Sequence, residues 1–300
     1  MIKAFDEIVK CAKAKGPKIL AVAVAQDVEV LTALNTAKDL GIAEAILVGD
    51  KDEILKAAGE CGVELAKFTI IDVKDKAEAC KKAVKLVSEG KAHIVMKGIV
   101  DTAIILKAIL AEDAGLRTGN VLSHVAVFEV NGFDRLFIVT DAAMNIAPNL
   151  EQKKQIIENA VKVAHALENP EPKVAILAAV EKVNPKMQAT VDADALVNMN
   201  KNGEIKGCFL GGPFALDNAV SVEASKHKGI NHPVAGHADI LMVPQIEAGN
   251  MLYKSMVYFA KAQNAGIVVG AKVPIVLTSR ADSDIAKLNS IAIGVLMADI

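Results

Sequence analysis

The run Leu-Thr-Ser-Arg-Ala-Asp-Ser-Asp at residues 277–284 brings a hydroxyl, a guanidinium and carboxylates close together in the chain. Arg280 can form paired hydrogen bonds with two oxygens of a phosphate, and the Ser279 hydroxyl can donate to an oxyanion that develops during a reaction. The run follows an apolar segment, and either Asp282 or Ser283 can cap a following helix, whose N-terminus would attract an anion. Taken alone, the run is equally consistent with a polar turn that caps a helix.

Further polar or glycine-rich loops follow other apolar segments. Lys97 ends one such segment, and the pair Gly211-Gly212 ends another, before Pro213, which suits the first position of a helix. Glycine permits close approach of a ligand to the backbone, so Gly212 is a candidate binding residue. Asn250 and Lys254 lie one turn apart on a helix that Gly249-Asn250 is predicted to open. Each of these features also has a plain structural interpretation as a turn, a cap or a solvated surface residue.

The elements that must position these loops alternate along the chain. Apolar strand-like runs occur at 18–25, 45–49, 68–73 and 93–98. A helical segment follows each run, starting at Asp27, Asp52, Asp75 and Asp101 in turn; the first is predicted to end near Gly41, the third at Gly90 and the fourth at Gly115. Repeated strand–helix units predict a parallel sheet with right-handed crossovers. Ligands of such sheets bind beyond the carboxyl ends of the strands, where the loops above are placed.

The second half of the chain departs from this rhythm. Two apolar runs flank Asn131-Gly132 and predict a β-hairpin. Further helices are predicted from Asn149 to Leu167, over 187–200, over 214–227 and over 283–297. The last of them has its apolar residues on one face: Ile285, Leu288, Ile291, Ala292, Val295 and Leu296.

These elements predict an α/β protein with two lobes, mostly parallel sheets in three α/β/α layers, and a ligand cleft between the lobes, similar to isocitrate dehydrogenase. Residues 1–119 with 273–300 are predicted to form one discontinuous domain, and residues 120–272 are predicted to form a second domain that starts with the hairpin. A cleft between two lobes is a common ligand site.

Composition excludes several classes of function. The chain has 300 residues, of which 52% are hydrophobic and 3% aromatic, and its net charge is −2 without a basic stripe, so nucleic acid is not an expected partner. No apolar run is long enough for a membrane span. Motifs for nicotinamide or nucleoside triphosphate binding are absent. The four cysteines show no pairing pattern, which predicts a cytoplasmic protein with reduced thiols. The three histidines at 227, 232 and 237 lack the spacing of zinc ligands, so no metal is expected. Asp192 and Asp194 are read as helix-surface carboxylates.

The order of the blocks resembles a known family. The blocks are MKGIVDTAIILKAIL (96–110), GLRTGNVLSHVAVFE (115–129), GGPFALDNAVS (211–221), PVAGHADILMVPQIEAGNMLYK (233–254) and LTSRADS (277–283). Together they resemble the phosphate acetyl/butyryltransferase family over nearly the whole chain, and the phosphate butyryltransferases most. The resemblance implies an enzyme that converts acyl-CoA and phosphate into acyl phosphate and CoA, with CoA as a substrate and no other cofactor. It also implies a homodimer or a larger homo-oligomer.

The resemblance further implies roles for particular residues. A functional Ser-Arg pair of the acetyl branch falls on Ser279 and Arg280. That branch has an aspartate seven residues after the serine, where this chain has Ala286, so Asp282 or Asp284 must take its place. An arginine of the acetyl branch near the fourth strand is matched only by Lys107 or Arg117.

Chemistry supports the same set. Lys97 and Arg280 would bind phosphate, Ser279 would stabilise the tetrahedral oxyanion, and a carboxylate such as Asp282 would serve as the base. Direct attack in a ternary complex is favoured, because no histidine is visibly paired with Ser279. Two alternatives stay open at this point: a metal-dependent two-lobed dehydrogenase, and a non-enzymatic sensor of CoA or acyl phosphate. Within the family, acetyl-CoA is the alternative to butyryl-CoA.

Overall fold

The computed structural model describes residues 1–298 and divides into two compact units. The terminal unit comprises Phe5–Asn120 and the residues from Ala265 onward, and the central unit comprises Met1–Ala4 and Val121–Asn264. The last two residues of the predicted 273–300 segment lie outside the described residues. Strands and helices alternate in both units, which confirms the predicted α/β class.

The helices, in chain order, are α1 (Phe5–Lys15), α2 (Val28–Asp39), α3 (Lys51–Cys61), α4 (Lys76–Ser88), α5 (Thr102–Ile109), α6 (Leu150–Ala166), α7 (Gln188–Lys201), α8 (Leu216–Val220), α9 (Val222–His227), α10 (Ile246–Tyr258) and α11 (Asp284–Met297). The strands are β1 (Lys18–Ala23), β2 (Ala43–Gly49), β3 (Thr69–Asp72), β4 (Ile94–Lys97), β5 (Ser123–Glu129), β6 (Leu136–Thr140), β7 (Lys173–Leu177), β8 (Phe209–Phe214), β9 (Ile240–Met242), β10 (Gln263–Val269) and β11 (Ile275–Val276). Short 3-10 turns occupy Leu65–Lys67 and Glu112–Ala114.

The strands of the terminal unit follow the order β3-β2-β1-β4-β11-β10. The pairings β1–β2, β2–β3, β1–β4 and β4–β11 are parallel, and β10–β11 is antiparallel. Because β1, β4 and β11 run in the same direction, the loops that follow them leave the same edge of the sheet. Asp27 and Asp75 cap α2 and α4, as the sequence predicts, each by accepting a main-chain N–H.

The central unit has the strand order β5-β6-β9-β7-β8. The predicted hairpin is confirmed as the antiparallel pair β5–β6, and β6, β9, β7 and β8 pair in parallel. The core of this unit includes Phe128, Phe137 and Tyr253. Asn149 caps α6 in a capping box with Gln152, again as predicted.

Several predicted helix boundaries are wrong. The helix predicted from Asp101 to Gly115 ends at Ile109 and is followed by a separate 3-10 turn. Pro213 lies inside β8 rather than at the start of a helix, and the Gly212–Pro213 peptide bond is cis. The helix predicted over 214–227 is two short helices, because Ser221 ends α8 and its hydroxyl caps α9. α10 begins at Ile246, so Gly249 lies inside the helix and does not open it.

Two predictions of burial are also wrong. Ile285, placed on the apolar face of the last helix, is 56% exposed, whereas nearly every residue from Ala286 onward in α11 is buried. Asp192 is a buried carboxylate that accepts a hydrogen bond from the Lys153 ammonium at 2.6 Å. A carboxylate can be buried when it is paired in this way. None of the helices within residues 1–298 is both long and apolar enough to cross a membrane.

Candidate active site

The loops after β1 and β4 pack closely at the edge of the terminal unit. The Gly98 amide donates to the Ala23 carbonyl at 2.8 Å, and the Ile99 amide donates to the Val24 carbonyl at 2.9 Å. A Cβ atom at position 98 would lie 2.1 Å from the Val24 oxygen. Gly98 therefore lets two backbone segments approach, and it fixes the position of the preceding residue, Lys97.

Lys97 is the last residue of β4 and is 5% exposed. Its ammonium donates to the carbonyls of Gly98 and Val100 at 3.4 and 3.3 Å. Burial lowers the pKa of Lys97, and the positive charges of Arg280 and Lys287 lower it further, against the opposing effect of Asp27 and Asp101. Long hydrogen bonds to two neutral carbonyls leave this buried cation suited to an anionic ligand.

The segment from Ser279 to Asp282 forms a tight turn between β11 and α11. The Ser279 amide donates to the Asp282 carboxylate at 2.7 Å, and the Asp282 amide donates to the Ser279 carbonyl at 3.1 Å. Ser283 is the N-cap of α11, with its hydroxyl accepting from the Ala286 amide. Of the two caps that the sequence allows, the structure shows Ser283, and the buried Asp282 side chain closes the turn instead.

Arg280 lies at the tip of this turn and forms an ion pair with Asp101, which precedes α5. Both side chains are exposed, at 59% and 69%. Asp101 is the N-cap residue of α5 but makes no side-chain cap hydrogen bond there. The guanidinium is thus held near the start of α5 by a solvent-exposed partner that an incoming anion can replace.

Lys287 belongs to the same group of charges, and sequence reasoning missed it. It lies one turn inside α11, is 3% exposed, and donates from its ammonium to the Asp282 carbonyl at 2.5 Å. The only sequence signal is a single charged residue within the apolar run Ile-Ala-Lys-Leu-Asn-Ser-Ile. The edge of the terminal unit thus carries three cations, Lys97, Arg280 and Lys287. Burial is the main cause of the lowered pKa of Lys97, and the charges of Arg280 and Lys287 add to it.

The two residues considered as substitutes for an arginine near β4 lie elsewhere in the terminal unit. Arg117 is exposed in the segment after the 3-10 turn Glu112–Ala114. Lys107 is exposed on α5 and lines a groove of about 1100 Å³ between α4 and α5, together with Lys81 and Lys82. Neither Lys97 nor Ser279 nor Arg280 lines this groove, and the assignment of Arg117 to ligand binding stays a prediction.

Gly212 lies in β8 of the central unit, next to β7. Its φ of +154° is rarely adopted by other residues, and a Cβ atom there would lie 2.9 Å from the Ile176 carbonyl oxygen. The glycine is therefore required by the packing of its own strand. Packing alone accounts for a glycine at position 212, and the binding role that the sequence predicts for Gly212 stays a prediction.

Asn250 and Lys254 lie one turn apart in α10. The Asn250 side-chain amide donates to the Ala142 carbonyl at 3.4 Å. The Lys254 ammonium lies 5.1 Å from the ring centre of Tyr253 and 5.9 Å from that of Tyr258. Cation–π contacts of this kind hold the ammonium without neutralising it, so α10 presents a positive charge beside the half-exposed Tyr258 ring.

No group of three or more histidine, cysteine, aspartate or glutamate residues within positions 1–298 is arranged to hold a metal ion. The four cysteines, Cys11, Cys61, Cys80 and Cys208, are all free thiols. Burial raises the pKa of Cys80 to about 11 and that of Cys208 to about 12, so both thiols are protonated at neutral pH and are poor nucleophiles.

Comparison with protein families gives one decisive match. The family model described as phosphate acetyl/butaryl transferase matches residues 3–82 and 75–295. The chain belongs to this family. The resemblance that the sequence blocks indicate is thereby confirmed, and the chain is a transferase.

Individual relatives within the phosphate acetyl/butyryl transferase family cover almost the full chain. Phosphate butyryltransferase of Clostridium acetobutylicum is 52% identical over 298 residues, which is 99% of each chain. Phosphate acetyltransferase of Thermotoga maritima is 46% identical over 98% of this chain and 99% of the relative. The crystal structure of a branched-chain phosphotransacylase from Enterococcus faecalis matches with a TM-score of 0.83 and 36% identity, over 94% of this chain and 99% of that one.

The fold alone extends beyond the family. A 4-hydroxythreonine-4-phosphate dehydrogenase from Klebsiella pneumoniae matches with a TM-score of 0.57 at 11% identity, over 94% of this chain and 99% of that one. This likeness confirms the predicted similarity to a dehydrogenase fold. It carries no information about activity at such low identity.

Proposed function

We propose that the protein is a phosphate acyltransferase that converts butyryl-CoA and phosphate into butyryl phosphate and CoA. The observation that carries this proposal is the cluster of Lys97, Arg280 and Lys287 around the Ser279–Asp282 turn. Three cations at one sheet edge suit a phosphate dianion. The 52% identity to a phosphate butyryltransferase supports butyryl-CoA as the acyl donor.

Each residue of the turn has a chemical task in this proposal. Arg280 exchanges its partner Asp101 for two phosphate oxygens, and the buried Lys97 supplies a second positive charge. A phosphate oxygen attacks the thioester carbonyl carbon, and the carbonyl oxygen becomes an oxyanion to which the Ser279 hydroxyl donates. When the tetrahedral intermediate collapses, the carbon–sulfur bond breaks and CoA leaves as a thiolate. One oxyanion donor typically contributes about 2.7–4 kcal/mol to such a step.

Direct attack within a ternary complex fits the surroundings of Ser279. Among the described residues no histidine hydrogen-bonds to its hydroxyl, which instead accepts a long contact of 3.4 Å from the Ala281 amide. A serine nucleophile needs an adjacent base to become reactive, so an acyl-serine intermediate is disfavoured. Binding both substrates together contributes through orientation, by up to about 7–11 kcal/mol in well-oriented systems.

The carboxylate that acts as acid or base is proposed on the same turn. Asp282 is buried and its carboxylate accepts the Ser279 amide, so its first task is to hold the turn. Asp284, the first residue of α11, is partly exposed and is the alternative for proton transfer. The variants Asp282→Asn and Asp284→Asn separate the two, because only loss of the base flattens the pH dependence of kcat.

CoA is proposed to bind through residues of the central unit. Lys254 offers an ammonium beside the exposed Tyr258 and Met251 side chains on α10. An ammonium next to apolar surface suits a ligand that combines phosphates with an adenine ring and an apolar arm. Asn250 and Gly212 are proposed as further contacts.

Acetyl-CoA is the second candidate donor, because an acetyltransferase is 46% identical to the chain. A single assay separates the candidates. Purified protein is mixed with phosphate and a series of acyl-CoAs from acetyl to valeryl, and the release of CoA thiol is followed. We expect kcat/KM to be highest for butyryl-CoA. A maximum at acetyl-CoA would favour the acetyltransferase, and no release with any donor would refute the proposed function.

A homodimer or a larger homo-oligomer and a cytoplasmic location are further proposals that rest on family membership. Sedimentation velocity tests the assembly, because a dimer doubles the mass of the 31.6 kDa chain. A single species at the mass of one chain would refute it.

A further inference from the structure

Lys287 occupies a position that helix stability does not explain. Lys287 is 3% exposed and lies near the N-terminus of α11, where the helix dipole disfavours a cation. Burying a cation costs several kcal/mol unless it is well paired. Its partner is the neutral carbonyl of Asp282, at 2.5 Å. A methionine of similar length would fill the same space without this cost, so the charge needs another explanation.

The contact of Lys287 leads directly to the turn. The Asp282 carbonyl receives the Lys287 ammonium, and the Asp282 carboxylate receives the Ser279 amide at 2.7 Å. Lys287 thus holds the main chain of Asp282 from the α11 side of the turn, and Ser279 holds its side chain from the β11 side. Lys287 anchors one end, and the positions of Ser279 and Arg280 depend on that anchor.

Lys287 also contributes charge. Its ammonium donates to the Asp282 carbonyl at 2.5 Å, within the turn that carries Arg280. Arg280 pairs with Asp101, and the neighbouring Val100 carbonyl accepts the Lys97 ammonium at 3.3 Å, so the three cations lie along one connected set of contacts. The charge of Lys287 also lowers the pKa of Lys97, after the larger effects of burial and Arg280. A phosphate near Lys97 would therefore be attracted by three cations, of which two are buried. A buried charge acts through a medium of low polarity and is screened less than the exposed Arg280.

We propose that Lys287 is a positioning residue for acyl transfer, which fixes the Ser279–Asp282 turn through the Asp282 carbonyl and adds a buried positive charge to the phosphate site. This inference rests on the proposed function. The Lys287 side chain makes two contributions, a hydrogen bond and a charge. One substitution removes both, and another removes the charge alone.

The test compares Lys287→Met, which removes hydrogen bond and charge, with Lys287→Gln, which keeps a donor for the Asp282 carbonyl. Initial rates are measured with butyryl-CoA while phosphate is varied, at a temperature well below each variant's Tm. We expect Lys287→Met to lose about tenfold or more in kcat and to raise the phosphate KM about tenfold. Lys287→Gln should keep kcat within about threefold and still show the raised phosphate KM, with the butyryl-CoA KM unchanged in both.

The matched control is Lys153→Met in the central unit. Lys153 is buried to a similar degree, at 5% exposure, but is paired with Asp192. This variant should lose stability and keep the phosphate KM of the wild type. If Lys287→Met does not fold, the Lys287→Gln variant still decides the charge contribution through the phosphate KM.

Two results would overturn the inference. An unchanged phosphate KM in Lys287→Gln would remove the charge from the phosphate site, and equal loss of kcat in the Gln and Met variants would remove the positioning role. The proposed function itself fails separately, when the wild-type protein shows no phosphate-dependent release of CoA.

Discussion

Replacement of Arg280 by alanine perturbs the phosphate site at its exposed cation. Hydrogen bonds to a charged group contribute about 1.5–3 kcal/mol each, and a guanidinium can make two of them to phosphate. To do so, Arg280 must release Asp101, an exposed partner whose ion pair is worth about 0–1 kcal/mol. The net loss in Arg280→Ala is therefore at least about 2 kcal/mol, which corresponds to a rise of about 30-fold or more in the phosphate KM.

Two further variants identify the physical cause of the change in phosphate KM. Arg280→Lys keeps the charge but cannot form the paired hydrogen bonds, so its phosphate KM should lie between those of the wild type and the alanine variant. Asp101→Asn removes the competing carboxylate and should lower the phosphate KM by up to about fivefold. Asn is an acceptable helix cap, and the Asp101 side chain makes no cap hydrogen bond that could be lost.

The assay follows the release of CoA thiol, first with phosphate varied at saturating butyryl-CoA and then with butyryl-CoA varied at saturating phosphate. The butyryl-CoA KM should stay within about twofold in all three variants, because Arg280 is assigned to phosphate alone. An unchanged phosphate KM in Arg280→Ala would refute this assignment. A raised phosphate KM in Asp101→Asn would show that Asp101 assists phosphate binding and does not compete with it.

Three further predictions concern single residues. Burial and the nearby cations lower the pKa of Lys97. The phosphate KM should therefore rise as this ammonium loses its proton, and the rise should begin at a lower pH than an exposed lysine would give. Lys97→Arg should move the rise to higher pH, and superimposable pH profiles of wild type and variant would contradict the role of Lys97. Gly98→Ala would place a methyl group 2.1 Å from the Val24 oxygen and should lower the free energy of unfolding, measured in urea, by about 2 kcal/mol or more. The control Gly59→Ala, in α3 with open space around it, should be neutral or stabilising. Equal effects of the two substitutions would contradict the packing argument. Lys254→Ala should raise the CoA KM in the reverse reaction about tenfold and leave the acyl phosphate KM unchanged; the opposite pattern would remove Lys254 from the CoA site.

Local patterns in the sequence predicted the elements of the fold well. The alternation of apolar runs and capped helices indicates the parallel strands, and Asn131-Gly132 indicates the hairpin β5–β6. Such signals depend on neighbouring residues only. The errors arise where tertiary packing decides. Pro213 fits a helix start by type, but the chain continues as β8. Gly249 lies inside α10, and the position requires glycine because the Asp141 backbone oxygen lies 2.6 Å from where a Cβ would be.

The candidate site was predictable in part, for the same reason. Ser279, Arg280 and Lys97 follow or end strands, which the chain order reveals. The pairing of Arg280 with Asp101 joins residues 179 positions apart, and no local pattern indicates it. Lys287 escaped notice because it lies outside the predicted apolar face of α11 and a lysine there is expected to be exposed. Only the folded turn shows why a buried ammonium lies there.

The most direct test of the central claim is ³¹P NMR of the protein with butyryl-CoA and inorganic phosphate. We predict that a new acyl phosphate resonance grows as the inorganic phosphate resonance declines, in step with the release of CoA thiol. The Arg280→Ala variant should reach the same products at high phosphate and should be slow at low phosphate. Release of thiol without an acyl phosphate resonance would show hydrolysis of the thioester by water, and it would contradict the account.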